Sequence, residues 1–380
     1  MIDLEATESR YDRQELITWW DQPRLQASRV LVVGAGALGN ELCKNLALLG
    51  IGHLEVIDLD IIERSNLARC VLFSDRDQGH PKAEVAAAAA GALNPDITTV
   101  GHVGNVLARG LGWVADFDVV LGGLDNREAR LWVGQACRKL GIPWIDGAIE
   151  GLRGLARVFL PDEGACYECT LGETDRAILA HRRSCALLSA EEIASGKVPT
   201  NATTASIIAA VQVQEAVKIL VGRPDLLALR NEALMFNGDT LETYKIGYTE
   251  DEFCLAHDRY GRLEPFDVVG STTMRDLLKA AEPLLGGAEA LDLEDDLVLT
   301  ARCPSCDIST TIGRPLASLS PGSGSCARCG SALSMDARRS LDPLEETVNV
   351  PLASLGLPAD EVITVRRGAD RIHYRLRETR

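Results

Sequence analysis

Apolar residues along the first 250 positions recur with two different periods. Arg29-Val30-Leu31-Val32-Val33 is a short continuous apolar run that ends on the hexapeptide Gly-Ala-Gly-Ala-Leu-Gly, residues 34–39. Beyond it Leu38, Leu42, Leu46 and Leu49 fall at helical spacing and predict an amphipathic helix. Leu54-Glu55-Val56-Ile57-Asp58 reads as the next strand, and the alanine-rich stretch Lys82–Leu93 as a second helix. Phe117–Leu121 and Trp144-Ile145 read as further buried strands. Strands separated by helices require crossover connections, so the fold expected is α/β: a Rossmann-like, mostly parallel sheet with helices on both faces.

Residues 162–201 break this rhythm: they are polar, hold three cysteines and offer no clear strand. A long helix of small and apolar residues is predicted from about Thr203 to Leu220, stopped by Gly222 and Pro224. Leu234–Phe236 and Thr243–Tyr248 read as antiparallel strands closing the domain. The texture changes near residue 260. Thr272–Leu285 reads as a helix, Ala290–Arg302 as a β ribbon leading into Cys303, and the tail beyond Leu341 as short strands. The division expected is residues 1–260 and 261–380, the second a small C-terminal α+β domain.

Composition narrows the classes. Of 380 residues, 46% are hydrophobic and 25% charged, an ordinary globular balance. No run approaches the roughly 18 apolar residues of a membrane span, and the acidic start Met1-Ile2-Asp3-Leu4-Glu5 does not read as a secretory signal. A cytoplasmic chain without a membrane partner is expected. The formal charge of −16 repels phosphate backbones and argues against a nucleic-acid partner. A nucleotide pocket needs only a few oriented donors.

Two sets of residues carry chemistry on their own. Gly34, Gly36 and Gly39 fit G-x-G-x-x-G between a strand and a helix, where bare backbone can approach a phosphate. Asp58 ends the following strand, where a carboxylate can hold ribose hydroxyls. The motif alone does not separate NAD from ATP. Arg69, Lys82 and Asp125 tip the balance, because cations and a carboxylate converging on a phosphate loop suit phosphoryl or nucleotidyl chemistry with a divalent metal rather than hydride transfer. Among eleven cysteines, six form the C-x-x-C pairs Cys166/Cys169, Cys303/Cys306 and Cys326/Cys329. The last two pairs have the separation of a zinc ribbon, with a rubredoxin-like iron site as the rival.

The pieces Arg10-Tyr11-Asp12-Arg13-Gln14, Gly34-Ala35-Gly36-Ala37-Leu38-Gly39, Asp58-Leu59-Asp60, Ser65-Asn66-Leu67-Ala68-Arg69, Pro81-Lys82, Leu124-Asp125-Asn126, Cys166-Tyr167-Glu168-Cys169 and Gln214-Glu215-Ala216-Val217-Lys218 occur in one order over residues 10–257. In this the chain resembles the ubiquitin-activating enzyme superfamily, which includes the bacterial ThiF-, MoeB- and HesA-like adenylyltransferases of sulfur-carrier proteins. The resemblance implies an ATP site formed by Gly34, Gly36, Ala37, Gly39, Asp58, Ser65, Asn66, Arg69, Lys82, Asp125 and Asn126. Asp58 would hold the ribose, Asn66, Arg69 and Lys82 the phosphates, and Asp125 magnesium. Arg13 would reach into the site of a partner in a homodimer. Cys70 stands where the family usually has glutamine. The family pairs the first C-x-x-C with a second, and here that place reads Cys254-Leu255-Ala256-His257. Zinc accepts imidazole, so Cys166, Cys169, Cys254 and His257 form a candidate site and Cys303, Cys306, Cys326 and Cys329 a second, giving two zinc ions per chain.

Cys185 is unpaired, in the crossover stretch at about residues 170–200, beside His181, Arg182 and Arg183, whose charge favours thiolate. Family members that bond covalently to the carrier keep a cysteine there. Cys43 and Cys137 read as core, and Cys70, expected to be exposed to the ATP site, as a second acceptor. The resemblance thus implies C-terminal adenylation of a ubiquitin-like β-grasp protein ending in glycine, thioester formation on Cys185 and hand-over to a conjugating enzyme. Pro199–Ser206 resembles the eukaryotic activating enzymes at this point, whereas the sulfur-carrier enzymes have a glycine-rich stretch. The alternative is a sulfur-carrier adenylyltransferase of the thiamine or molybdenum-cofactor type. A non-catalytic scaffold or redox sensor switched by Cys70 and Cys185 is a third reading, opposed by the intact Arg13, Lys82 and Asp125.

Overall fold

The first strand ends where its apolar run ends, at Val33 before the glycine loop. In the computed structural model, which describes residues 9–172 and 199–378, β1 (Arg29–Val33), β2 (His53–Asp58), β3 (Thr98–Val103), β4 (Val119–Gly122) and β5 (Trp144–Glu150) pair in parallel. Three antiparallel strands extend the sheet: β6 (Arg153–Phe159), β7 (Glu232–Asn237) and β8 (Glu242–Gly247). The order is β3-β2-β1-β4-β5-β6-β7-β8. Register aligns Val33 with Ile57 on one side and Gly122 on the other, so β1, β2 and β4 end at one level. The order reverses beside β1, and at such a switch point the strand ends leave a crevice.

Among the described residues the helices are α1 (Gln22–Ala27), α2 (Ala37–Leu49), α3 (Lys82–Leu93), α4 (Leu111–Val114), α5 (Arg127–Leu140), α6 (Ala202–Leu220) and α7 (Met274–Leu285). Leu38, Leu42 and Leu46 of α2 are buried as their spacing predicts, in one core with Val30, Val32, Leu54, Val56, Val119, Leu121, Ala86, Ala90, Ile208 and Val213. That core is one face of the sheet under α2, α3 and α6. On the other face Trp144 meets Gly134 of α5 and stacks on Phe159 with ring centres 5.0 Å apart. Helices therefore cover both faces. Glu215, 2% exposed, accepts from the N–H groups of Ala228 and Leu229 and so anchors α6 to the loop before β7.

The strand β6 has no counterpart in the sequence reading. Its pattern Arg-Gly-Leu-Ala-Arg-Val-Phe carries two arginines, yet Arg157 is only 8% exposed. A buried guanidinium needs a carboxylate, and here that partner is Asp146 on the neighbouring strand.

The chain divides into two units. One runs to Val106, resumes over Asp116–Thr170 and ends at Asp258, while the second takes Leu107–Ala115 and continues from Arg259. Within the second, β9 (Leu263–Val268), β10 (Ala290–Arg302), β11 (Ser309–Pro315), β13 (Val362–Arg367) and β14 (Asp370–Glu378) form a sheet of order β11-β10-β13-β14-β9. The strand β12 (Ser334–Leu341) also pairs with β10. Only β9 and β14 run parallel among these pairs. A capping box between Thr273 and Asp276 starts α7, whose Met274, Leu277, Leu278 and Ala281 pack with Leu291, Leu293, Ile363 and Val365. The α4 segment belongs to this unit through the Gly112 N–H, 2.8 Å from the Asp360 carbonyl. Among the described residues no helix is long and apolar enough to cross a membrane.

Candidate active site and metal centres

The glycine loop turns out of β1 with Gly34 at φ +95°, a left-handed conformation that glycine adopts without strain. A Cβ on Gly34 would lie 2.7 Å from the Gly123 carbonyl oxygen, and one on Gly39 would lie 1.8 Å from that of Gly34. These two glycines serve the fold. Gly36 differs: it caps α2 with φ −73°, and a Cβ built there meets nothing within 4 Å. The space over Gly36 is a cradle that a side chain would fill, at a helix N-terminus whose N–H groups favour an anion. Ala37 opens that helix. Gly36→Ala is therefore expected to leave the melting temperature nearly unchanged while weakening nucleotide binding at least about tenfold, through lost close approach. Gly39→Ala should destabilise the fold by roughly 1–3 kcal/mol or more, since backbone must move. Calorimetric titration and thermal melting of both variants check this, and wild-type nucleotide affinity in Gly36→Ala would refute it.

Asp58 ends β2 and faces the loop. Its Oδ2 accepts from the Ala35 N–H at 2.6 Å and its Oδ1 from the Asp60 N–H at 2.7 Å. Burial pushes this carboxyl above its ordinary range, against the two N–H bonds and the Lys82 charge. Lys82, first residue of α3 and 9% exposed, donates from Nζ to Asp60 Oδ2 at 2.7 Å. Burial pulls the ammonium down, but the Asp60 hydrogen bond and the charges of Asp58 and Asp60 outweigh it, so its pKa is raised and it stays cationic. Asn66 is buried in the turn Arg64–Asn66, where its Oδ1 accepts from the Glu63 N–H at 2.8 Å. In the same turn Ser65 Oγ donates to Glu63 at 3.2 Å, and Arg69 holds the Ser65 carbonyl at 2.7 Å.

Asp125 and Asn126 follow β4. Asn126 accepts from the Ala129 N–H at 2.7 Å and so starts α5. Asp125 is exposed, with no hydrogen-bond or ion-pair partner among the described residues. A lone carboxylate beside a phosphate loop is the donor set that fits magnesium, which keeps several waters and takes one or two carboxylates plus phosphates. Arg13 is exposed. Cys185 lies outside the described residues, as do His181, Arg182 and Arg183.

Cys70 corrects an expectation. It is not exposed to the site but buried, 2% accessible, and burial pushes its thiol up to about 11 despite the neighbouring Arg69 and Lys82 charges. Such a thiol is a poor nucleophile. Cys43 and Cys137 are buried as expected, and burial pushes the Cys43 thiol up to about 12.

One residue of the loop escaped the sequence reading. Asn40, fully buried, donates to the carbonyls of Ala35 at 2.8 Å and Gly36 at 3.2 Å and accepts from the Leu72 N–H at 2.9 Å. It ties the glycine loop to the chain beyond Arg69. The available signal was a polar residue on an otherwise apolar helix face directly after Gly39.

Both cysteine clusters converge. In the first, Cys166 Sγ lies 3.7 Å from Cys169 Sγ and 3.6 Å from Cys254 Sγ, and Cys169 Sγ lies 3.2 Å from His257 Nε2. The other imidazole nitrogen, Nδ1, faces Glu250 at 3.3 Å, the outer carboxylate that orients a ligating histidine. In the second, Cys303 Sγ and Cys329 Sγ are 3.5 Å apart, and ligand atoms of all four cysteines lie within 4.8 Å of one another. Both knuckles close alike: the Asp307 N–H bonds the Cys303 carbonyl and the Gly330 N–H that of Cys326, with φ +55° and +73°. Sulfurs at 3.5–3.7 Å are far beyond the ~2.05 Å of a disulfide. They match the separation of about 3.8 Å that tetrahedral zinc with ~2.3 Å bonds imposes on its ligands.

A glycine loop at the C-terminal ends of parallel strands, faced by a carboxylate and a buried lysine, is the arrangement of a nucleotide-binding α/β protein. The chain belongs to the ThiF family, whose model matches residues 11–254. It is 34% identical over 264 residues to the SAMP-activating enzyme E1 of Haloferax volcanii, covering 67% of this chain and 90% of that one. It is 42% identical over 156 residues to the NEDD8-activating enzyme E1 catalytic subunit of Arabidopsis thaliana, but this spans 38% of this chain and only 34% of the relative. In fold it is similar to E. coli MccB solved with ATP, with a TM-score of 0.55 at 23% identity, over 66% of this chain and 75% of that chain.

Proposed function

We propose that the protein is an ATP-dependent activating enzyme for a ubiquitin-like protein. The observation that carries the reading is the open cradle over Gly36, with Asp58 and the cationic Lys82 beside it, in a chain that is 34% identical to an E1 over most of that relative's length. The carrier's C-terminal carboxylate attacks the α-phosphate of ATP and pyrophosphate leaves. A carboxylate is already a nucleophile, so the work of the site is positioning and charge neutralisation. The α2 N-terminus and Lys82 receive phosphate oxygens, with Asn66 and Arg69 framing them, and Asp58 takes the ribose hydroxyls. Magnesium, when bound, neutralises phosphate charge, and Asp125 is the residue that would hold it. The Cys185 thiolate then attacks the acyl-adenylate carbonyl, AMP leaves, and a thioester forms. A conjugating enzyme would receive that thioester. The two metal clusters hold zinc in structural roles.

The test is to incubate the protein with ATP and each small β-grasp protein of its own genome, then read a non-reducing gel for a reducible adduct and a separate assay for ATP–pyrophosphate exchange. Exchange without any adduct would transfer the assignment to sulfur-carrier adenylation, and absence of both would refute enzymatic activation.

The active species is a homodimer in which Arg13 completes the partner's site. Mixing Arg13→Ala with Asp125→Ala chains is expected to restore a measurable fraction of exchange, because one hybrid site is then intact. No restoration, together with a monomeric mass in solution, would refute it.

A further inference from the structure

Asp146, the third residue of β5, is fully buried and meets two arginines. Arg157, opposite it in the antiparallel register, donates from Nε to Oδ2 at 3.0 Å, with Nη2 at 2.9 Å. Arg130 of α5 brings Nε to 3.3 Å from Oδ1, an ion pair without hydrogen-bond alignment. Each arginine continues outward. Arg130 Nη2 donates to the Leu124 carbonyl at 2.6 Å and the Gly147 carbonyl at 2.8 Å. Arg157 Nη1 donates to Thr170 Oγ1 at 3.2 Å, and its guanidinium lies 4.9 Å from the Tyr167 ring centre. Tyr167 lies between Cys166 and Cys169, and Thr170 directly follows them.

Burying one carboxylate between two guanidinium groups is a weak route to stability, since apolar residues of equal volume commonly do as well. What such a network provides is fixed geometry. Leu124 precedes Asp125. This stretch lies between Gly123, whose N–H bonds the Val33 carbonyl, and the cap residue Asn126. The Arg130 guanidinium clamps it by its carbonyl.

We propose that Asp146, acting through Arg130, is a positioning residue for adenylation: it sets the Leu124 carbonyl and hence the Asp125 carboxylate, while Arg157 joins the same anion to the metal knuckle. Asp146 touches no substrate. The proposal rests on the adenylation reading above.

The experiment uses the full chain with Arg130→Met, Arg130→Lys and Asp146→Asn. Arg130→Met leaves the Asp146–Arg157 pair intact and so keeps the test alive should Asp146→Asn fail to fold. Amide hydrogen exchange over residues 122–130 is measured without any carrier, alongside melting temperature. ATP KM and its magnesium dependence are measured by pyrophosphate exchange. Losing a charge-assisted hydrogen bond is expected to raise amide exchange about tenfold at Gly123 and Ala129, whose N–H bonds to Val33 and Asn126 hold the two ends of this stretch. ATP KM should rise by a similar factor and its magnesium dependence shift to higher concentration, with partial rescue in Arg130→Lys. Wild-type protection at Gly123 and Ala129 in folded Arg130→Met would overturn the proposal. So would a lowered melting temperature with ATP KM and magnesium dependence unmoved, the mark of a merely structural network. If the wild-type chain catalyses no exchange with any carrier, the adenylation reading fails, whereas hydrogen exchange still decides whether Arg130 and Asp146 set the Asp125 segment.

Discussion

Asp125→Ala is expected to abolish pyrophosphate exchange and thioester together, whereas Cys185→Ala should leave exchange near wild type and remove the reducible adduct. In the proposed mechanism the two residues serve successive steps. Removing the carboxylate proposed to hold a charge-neutralising metal would cost transition-state stabilisation directly, and a loss of about 100- to 1000-fold or more is expected. In that sequence the Cys185 thiolate would act only after pyrophosphate has left, so its loss should spare the first equilibrium. Cys185→Ser should give an ester that survives reductant and is cleaved by base. Replacing His181 and Arg183 by alanine should slow adduct formation at neutral pH and restore it at higher pH, because the thiol loses its cationic neighbours. A reducible adduct persisting in Cys185→Ala would refute the assignment. Cys70 is a poor substitute acceptor, being buried with its thiol pushed up to about 11.

Loss of metal from the second cluster is expected to have the largest effect on stability. Cys303 is fully buried and starts the knuckle between β10 and β11, and Cys326 and Cys329 form the knuckle ahead of β12. Strand pairing on both sides of β10 thus depends on holding four sulfurs together. Structural zinc contributes on the order of 10 kcal/mol of apparent folding free energy, and without a cation the thiolates repel. Cys303→Ser is accordingly expected to unfold the β11–β12 region, read as lost amide protection over residues 300–340, and to lower the metal content from about two equivalents to one. Cys166→Ser should remove the other equivalent. One equivalent in the wild-type chain, or unchanged protection in Cys303→Ser, would refute the two-zinc assignment.

Local patterns determined a good deal of this protein. The apolar run before Gly34, the leucines of α2 and the alanines of α3 each specify an element because burial needs only the right period. The glycine loop and the C-x-x-C pairs are legible because close approach and metal ligation restrict residue type over a few positions. The convergence of Cys254 and His257 on Cys166 and Cys169, a cluster drawn from distant parts of the chain, is a property of the folded unit. Tertiary structure alone decided the rest. It buried Cys70, which short-range reading put in the open, and recruited Asn40 to brace the loop. It made a strand of the arginine-bearing β6 by setting Asp146 opposite Arg157, and it assigned Leu107–Ala115 to the second unit. In each case the deciding partner is remote in sequence. Whether a polar group is satisfied depends on what the fold brings to it, and hydrophobic period carries no information about that.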